Sequence, residues 1–262
     1  MPKVRGMLIP LLILSGALLF AQEEIDFDGN YGDIRKLPPQ TMQNHDFAFV
    51  RLMYNGRIPN YIKNWYTDYP TGDRNLVQIL RRMTAIDVAP ESRVMPVHDP
   101  DLFWYPMIYS GEAGQMVFDD GDAAVLREYL MRGGFWMIDD FWGTFEWSNF
   151  EHEMKKILPD RKIVDIPLDH PIFHVFYDIP ERMQVPNVGY AFNPGTPTWE
   201  QDGYEPYVRG IFDDTGRLMV FINHNTDLMD ASEWADEPLY PQKFSTYSYK
   251  VFSNAVVYAL TH

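Results

Sequence analysis

Residues 129–141 read YLMRGGFWMIDDF, and within this stretch a helical pattern gives way to an apolar strand. Gly133 and Gly134 predict a helix end, because glycine readily adopts the left-handed conformation that follows a helix C-terminus. Phe135 to Ile138 is a continuous apolar run, which is typical of a strand buried on both faces of a parallel sheet. The stretch therefore predicts a helix followed by an inner strand.

Apolar strands and amphipathic helices alternate on both sides of this stretch. Strands are predicted at 46–54, 93–97, 102–109, 135–138 and 161–166, and helices at about 73–83, 120–132, 145–158 and 246–260. This alternation predicts an α/β fold, with a mainly parallel sheet that carries helices on both faces. Residues 208–212 and 217–223 flank the turn sequence DDTG and predict an antiparallel hairpin at one edge.

Aspartates are expected at the start of two of these helices, where a side-chain oxygen can accept hydrogen bonds from the first backbone amides. Asp73 is expected to cap the first helix, and either Asp120 or Asp122 is expected to open the second. Pro106 lies inside the predicted strand 102–109, which places that strand at an edge or at a bulge.

The first 21 residues differ from the rest of the chain. Lys3 and Arg5 precede a 14-residue apolar run from Met7 to Phe20, and Ala21 then leads into an acidic segment. This layout predicts a secretory signal peptide, residues 1–21, and the run is shorter than the roughly 20 residues of a membrane span. An uncleaved membrane anchor is the alternative. We expect an exported, periplasmic or secreted protein with an extended arm at 22–44 and a single α/β domain at 45–262.

Composition excludes several classes of function. The formal net charge of −15 repels phosphate backbones, so nucleic acid is a poor partner. The sequence contains no cysteine, which excludes disulfides, lipidation at cysteine and a thiol nucleophile. Neither a G-x-S-x-G elbow nor a G-x-G-x-x-G phosphate-binding loop is present, so a serine hydrolase and a nucleotide-binding fold lack support.

Asp139 and Asp140 leave the predicted strand at its carboxyl end, where ligands bind in open α/β sheets. Adjacent side chains on an extended chain point to opposite faces, so only one of the two is expected to face a given pocket. The other is expected to cap a helix or to accept from backbone amides. The pair is interpreted either as helix-capping or as a cation ligand or general base.

Two later segments supply further candidate side chains. They are Asp169, His170 and His174 from LDHPIFH, and Asn223, His224, Asn225 and Asp227 from INHNTD. No recognised metal-binding spacing is present, so histidines bonded to the backbone are favoured over a metal site. If a divalent metal is bound, Asp140, His170, His174 and His224 are the expected ligands. No cofactor is otherwise implied.

Arg51 lies within the first predicted strand, and a buried guanidinium needs a partner. Asp68 is the expected partner in a structural ion pair. The alternative is that Arg51 and Asp68 clamp an anion or a substrate.

Several motifs resemble those of the family called domain of unknown function 4159. They are RLMYNG at 51–56, WYTDYP at 65–70, the stretch at 129–141, LDHPIFHVFY at 168–177 and the closing INHNTDLMDASEWADEPLYP with SNAVVYALTH. That family is similar in architecture to the class I glutamine amidotransferase-like superfamily, which includes ThuA-like proteins. The resemblance implies a flavodoxin-like scaffold and a role in the cell envelope, and it carries no established reaction. In amidotransferases a cysteine nucleophile follows the strand comparable to 135–138.

Two hypotheses on function follow. The first is a non-catalytic envelope protein that binds a small molecule, a carbohydrate or a protein partner at the carboxyl edge of the sheet. The second is a hydrolase, directed at sugars or cell-wall material, in which Asp139 or Asp140 acts as base and His170 or His224 as acid or metal ligand. The hydrolase requires close contact between the aspartates and the histidines, whereas the binding protein does not.

Overall fold

A computed structural model of the protein describes residues 39–58, 64–193 and 195–262. The predicted signal peptide and most of the predicted N-terminal arm lie outside the described residues. Every described residue belongs to one unit, Ile34–His262. Within the described part of the chain, no helix is both long enough and apolar enough to cross a membrane.

The described residues form nine strands and seven α-helices. The strands are β1 Val50–Met53, β2 Asn55–Gly56, β3 Arg93–Pro96, β4 Met107–Ser110, β5 Met116–Val117, β6 Phe135–Ile138, β7 Val164–Asp165, β8 Tyr207–Phe212 and β9 Leu218–His224. The helices are α1 Gln40–Asn44, α2 Thr71–Met83, α3 Asp120–Met131, α4 Gly143–Ile157, α5 Val188–Ala191, α6 Leu228–Glu233 and α7 Gln242–Thr261. Short 3-10 turns occupy Pro100–Trp104, Ala113–Gln115 and Pro171–Phe173.

Seven strands form the main sheet in the order β3-β1-β4-β6-β9-β8-β7. The first five of these strands pair in parallel. The strand β8 pairs antiparallel with β9 and with β7, so the predicted hairpin lies at one edge of the sheet. The predicted α/β class, with a mainly parallel sheet and an antiparallel edge, is confirmed.

The strand β6 is inner, and its side chains alternate between two hydrophobic layers. Phe135 and Met137 pack in one layer, whereas Trp136 and Ile138 pack in the other. All four are buried, because helices cover both faces of the sheet. The helices α2 and α7 contribute to the first layer, and α3 and α4 to the second. Burying each such side chain contributes roughly 1.5–3 kcal/mol, so this strand anchors both layers.

The glycine pair ends α3 as predicted. Gly133 has φ 108°, a left-handed conformation that favours glycine. The amide of Gly134 donates to the carbonyl of Tyr129, at 3.0 Å. A Cβ atom on Gly134 would lie 2.4 Å from the Tyr129 ring, so this residue is also required by close packing.

The predicted cap at Asp73 was wrong, whereas α3 begins at Asp120 as predicted. The helix α2 begins at Thr71 after Pro70, and Asp73 lies in its first turn without capping it. Asp119 caps α3 in a reciprocal capping box with Asp122. Spacing alone could not exclude Asp73 as a cap, because an acidic residue is also favourable in the first turn of a helix.

Three predicted segments also differ from the structure. Residues 102–104 belong to a 3-10 turn, and β4 begins only at Met107, because Pro106 lacks the N–H that a strand ladder needs. Residues 40–44, assigned to an extended arm, form the short helix α1. The predicted strand 161–166 is reduced to β7, which pairs on one side only with β8.

Candidate functional site

The chain segments that follow β6 and β9 remain paired beyond the strands themselves. The amide of Asp140 donates to the carbonyl of Thr226 at 3.2 Å, and the amide of Asn225 donates to the carbonyl of Phe141 at 3.0 Å. Asp140 and Asn225 both adopt the left-handed region, with φ 51° and 61°. The two turns therefore place Asp140 and Asp227 at the same carboxyl edge of the sheet.

Asp139 is fully buried and caps a helix. Its Oδ2 accepts hydrogen bonds from the amides of Leu228 at 2.8 Å and Met229 at 3.1 Å. These are the first two residues of α6, so Asp139 satisfies amides that a helix start leaves unpaired. The capped helix follows β9, whereas local spacing in the sequence pointed to the helix directly after β6.

Asp140 points into a cluster of carboxylates. One oxygen each from Asp68, Asp140 and Asp227 lies within 4.8 Å of the other two. The indole Nε1 of the buried Trp142 donates to Asp140 Oδ1 at 3.2 Å, which orients this carboxylate. Asp140 thus faces the site while Asp139 supports the neighbouring helix.

Arg51 holds the loop that carries Asp68. Its Nη1 donates to the carbonyls of Trp65 and Thr67, each at 2.9 Å. Asp68 itself has φ 63°, and its carbonyl accepts from the amide of Gly72 at 2.8 Å. The guanidinium and the start of α2 together place the Asp68 side chain over the carboxyl edge.

The predicted ion pair between Arg51 and Asp68 was wrong. Arg51 pairs with Asp73, whose Oδ1 accepts from Nε at 2.9 Å and from Nη2 at 2.6 Å. Both side chains are fully buried. Asp73 lies on the first turn of α2, which faces β1, whereas Asp68 turns toward the carboxylate cluster.

Two further acidic residues complete the cluster, and sequence reasoning missed both. Oxygens of Asp68, Asp230 and Glu233 also lie within 4.8 Å of one another. Asp227 Oδ1 accepts from the amide of Asp230 at 2.9 Å, so Asp227 caps α6 as well. A signal was present in the sequence NTDLMDASE, because acidic residues at 227, 230 and 233 are three apart and share one helix face.

The carboxylates raise one another's pKa. Burial, followed by the charges of Asp230 and Asp140, raises the pKa of Asp68 well above its usual value. Burial and the charge of Asp140 do the same to the pKa of Asp227. Burial raises the pKa of Asp230 to about 6. The site therefore disfavours several negative charges at once unless a cation is bound.

Two tyrosine hydroxyls lie near the cluster without a hydrogen-bond partner among the described residues. They belong to Tyr109, which is fully buried, and Tyr240, which is 5% exposed. After burial, the charge of Asp139 raises the pKa of Tyr109, and that of Asp227 raises the pKa of Tyr240. These residues were also absent from the predicted site.

The structure does not bring His170 to the aspartates. Its ring lies 6.0 Å from the ring of Tyr258, whose hydroxyl accepts from the amide of Leu218 at 3.1 Å. Leu218 begins β9, so His170 lies at the amino edge of the sheet. Since a strand rises about 3.3 Å per residue, the length of the strands separates His170 from Asp140. The two side chains are therefore too far apart to act on one substrate.

His174 is also outside the cluster. Its Nδ1 bonds to Asp178 and its Nε2 to the carbonyl of Leu168, both at 2.6 Å. The Nδ1 of His170 accepts from the amide of Ile172 at 3.2 Å. The expected metal set of Asp140 with three histidines is therefore not assembled.

His224 also lies at the carboxyl edge of the sheet, where aromatic side chains surround its ring. Its ring centroid is 4.7 Å from that of Phe141 and 4.8 Å from that of Trp147. Its Nε2 bonds to the carbonyl of Gly143 and its Nδ1 to Arg209, each at 3.2 Å. Burial, and then the charge of Arg209, lower the pKa of His224 to about 4, so its imidazole is neutral near pH 7.

The two predicted asparagines are tied to the backbone. Asn223 Nδ2 donates to the carbonyl of Ile138 at 3.2 Å. Asn225 Oδ1 accepts from the amide of Gly143 at 2.8 Å, and its Nδ2 donates to the carbonyl of Glu205 at 2.7 Å. Both residues support the turns around the site.

Together, the fold and the site define an α/β protein with a carboxylate cluster at the carboxyl edge of a mainly parallel sheet. The chain belongs to the family described as domain of unknown function (DUF4159), whose family model matches residues 48–260. A comparison with curated proteins gives no match.

Proposed function

We propose that this chain is an exported cell-envelope protein that binds a cationic ligand at the carboxyl edge of its sheet. The observation that carries the proposal is the convergence of Asp68, Asp140 and Asp227, with oxygens within 4.8 Å of one another. Asp140 and Asp227 are buried, and keeping ionised carboxylates together away from water is costly without a compensating charge. Positive charge on the ligand supplies that compensation.

The nearby guanidinium does not neutralise the cluster. Arg51 contributes its Nε and Nη2 to Asp73 and its Nη1 to two backbone carbonyls. Its charge lowers the pKa of Asp68 less than burial and the neighbouring acids raise it. This arrangement supports a cationic ligand. It does not support the alternative in which Arg51 and Asp68 clamp an anion or a substrate.

The scaffold is proposed to be amidotransferase-like, with the carboxylates in place of a nucleophile. The parallel sheet and the sharp turn at Asp140, with φ 51° directly after an inner strand, support this similarity. The sequence contains no cysteine to serve as the nucleophile. Among the described residues, His170 bonds to the amide of Ile172, and His224 bonds to Gly143 and Arg209. These contacts favour binding over a hydrolase in which either histidine assists the aspartates.

Binding is tested by thermal unfolding of the full chain with CaCl₂, MnCl₂, spermidine or a lysine-rich peptide, against NaCl of equal ionic strength. A ligand at about 100 times its Kd stabilises by about 2.7 kcal/mol, which raises the Tm of a domain of this size by about 5–10 °C. Asp140→Asn is expected to reduce the shift. The exposed acid Asp236 provides the matched control Asp236→Asn, which keeps the shift. If no cationic probe raises the Tm, the proposal fails.

Export is tested separately, by fractionation of the producing cells and N-terminal sequencing of the recovered protein. The basic start and the apolar run before Ala21 support cleavage after that residue. Recovery of the full-length protein in the cytoplasm would contradict export.

A further inference from the structure

The carboxylates form two sets of three that share one residue. Asp68 belongs to the set with Asp140 and Asp227 and also to the set with Asp230 and Glu233. Within each set the oxygens lie within 4.8 Å of one another. Oxygen ligands of Ca²⁺ lie at 2.3–2.6 Å, so two ligands on opposite sides of an ion are about 4.6–5.2 Å apart. Each set therefore has the dimensions of one coordination sphere.

We propose that the cluster is a two-ion centre for hard divalent cations, in which Asp68 bridges one ion held with Asp140 and Asp227 and a second ion held with Asp230 and Glu233. The inference rests on the proposed function and names the class of its ligand. Carboxylate oxygens suit Mg²⁺, Mn²⁺ and Ca²⁺ better than softer metals. In two-metal sites the ions lie about 3.5–4 Å apart, a separation that one shared carboxylate can span.

The unpartnered tyrosine hydroxyls are an independent indication of a ligand. Tyr109 and Tyr240 are at least nine-tenths buried, and neither hydroxyl has a hydrogen-bond partner among the described residues. After burial, the charge of Asp139 raises the pKa of the Tyr109 hydroxyl, and that of Asp227 raises the pKa of the Tyr240 hydroxyl. Both hydroxyls are thus close enough to the carboxylates to interact with them electrostatically.

A buried hydroxyl without a partner costs free energy, and bound divalent ions would remove that cost. Mg²⁺ and related hard ions keep several waters in their coordination spheres. Those waters can exchange hydrogen bonds with the hydroxyls of Tyr109 and Tyr240. The unpaired Oδ1 of the buried Asp139 offers them a further acceptor.

Backbone hydrogen bonds hold two of the proposed ligands in place. Asp227 uses Oδ1 to accept from the amide of Asp230. Asp230 uses Oδ2 to accept from the amide of Val188. The first turn of α6 therefore sets the positions of both carboxylates.

Charge and access are also consistent with two ions. The five carboxylates of the two sets carry five negative charges when ionised, which two divalent ions nearly neutralise. Asp68 and Glu233 are partly exposed, whereas Asp140, Asp227 and Asp230 are buried. Ions can therefore enter on the side of Asp68 and Glu233.

The centre is tested with Mn²⁺ as probe. The full chain is stripped with a chelator and dialysed, Mn²⁺ binding is measured by equilibrium dialysis, and the bound Mn²⁺ is examined by electron paramagnetic resonance. Two ions per chain with an exchange-coupled spectrum are expected. One ion per chain, or two ions with uncoupled spectra, would overturn the shared-carboxylate centre. No bound Mn²⁺ would overturn the metal proposal alone, and a shift with spermidine or the lysine-rich peptide would still support the proposed function.

Matched variants assign the ions to the two sets. Asp227→Asn keeps a capping side chain and is expected to leave one ion, as is Glu233→Gln. Asp68→Asn is expected to remove the exchange coupling and to weaken Mn²⁺ binding by about tenfold or more. The control Asp236→Asn changes an exposed carboxylate near Glu233 and is expected to bind two coupled ions. Loss of both ions in that control would overturn the assignment.

Discussion

Asp139 and Asp140 are adjacent in the chain but act on different parts of the structure. The carboxylate of Asp139 accepts from the amides of Leu228 and Met229 at the start of α6, whereas that of Asp140 lies with those of Asp68 and Asp227. The positive φ of Asp140 turns the chain at this point. The strand is therefore followed by one carboxylate, Asp139, that caps a helix and by a second, Asp140, that faces the site.

Opposite effects on stability are expected from changing the two aspartates. Asp139→Ala leaves two buried amides without their acceptor and is expected to lower the free energy of unfolding by about 1–3 kcal/mol. Asp140→Asn removes one of several repelling charges, and asparagine tolerates the left-handed conformation. In a chelator it is expected to unfold at equal or higher urea concentration than the unchanged protein. Equal destabilisation by both changes would contradict the division of roles.

The ion pair of Arg51 with Asp73 is expected to be essential for stability. Arg51→Met leaves the fully buried Asp73 without its cation, and breaking a buried pair in this way costs about 3–5 kcal/mol. Urea unfolding followed by tryptophan fluorescence measures the loss. Arg132→Met breaks the exposed pair with Glu128 and should cost less than about 1 kcal/mol. Similar losses in the two variants would refute the distinction.

His224 is expected to make stability depend on pH between about 6.5 and 4. Its folded-state pKa is lowered to about 4 by burial and then by Arg209, while the hydrogen bond to the Gly143 carbonyl and then Asp202 act in the other direction. The unfolded chain therefore binds a proton first, and stability falls as pH decreases from 6.5 toward 4. The contribution reaches about 3 kcal/mol, at 1.36 kcal/mol per pKa unit.

The measurement is the free energy of unfolding against pH for the unchanged protein and for His224→Gln. The difference between the two proteins isolates the histidine, because the carboxylates titrate in both. It is expected to change by up to about 3 kcal/mol across this range. A difference that does not vary with pH would show that His224 titrates normally.

The two glycines after α3 are expected to respond differently to alanine. Gly134→Ala places a Cβ 2.4 Å from the buried ring of Tyr129 and is expected to cost about 1–3 kcal/mol through overpacking. Gly133 has open space around it, so Gly133→Ala costs only the strain of its positive φ, about 1–2 kcal/mol. Adding Tyr129→Leu should lessen the cost at Gly134 and leave that at Gly133 unchanged. Thermal unfolding of the single and double variants tests this coupling.

His170 is expected to have no part in cation binding. His170→Asn keeps a side-chain acceptor for the amide of Ile172 at the amino edge of the sheet. Equilibrium dialysis should therefore find the same number of Mn²⁺ ions as in the unchanged protein. Loss of an ion would place His170 at the site and contradict the described geometry.

Local patterns in the sequence determined the class of fold. The apolar run of β6, the glycines after α3 and the hairpin of β8 with β9 are each encoded in a short continuous segment, the longest being Tyr207 to His224. Hydrophobic periodicity and glycine conformations act over that range, so they predict elements and their ends. The sequence also indicated the edge at which Asp140 and Asp227 lie, because polar residues follow apolar strands there.

Only the tertiary structure decided which side chains meet. Arg51 pairs with Asp73 instead of Asp68, and His170 lies at the opposite edge from Asp140. Strand order, helix packing and the left-handed turns at Asp68 and Asp140 control these contacts. Such contacts join residues far apart in the chain, and a change of one residue in an extended segment reverses the direction of a side chain. The carboxylate cluster, and with it the proposed cation site, therefore depends on the fold.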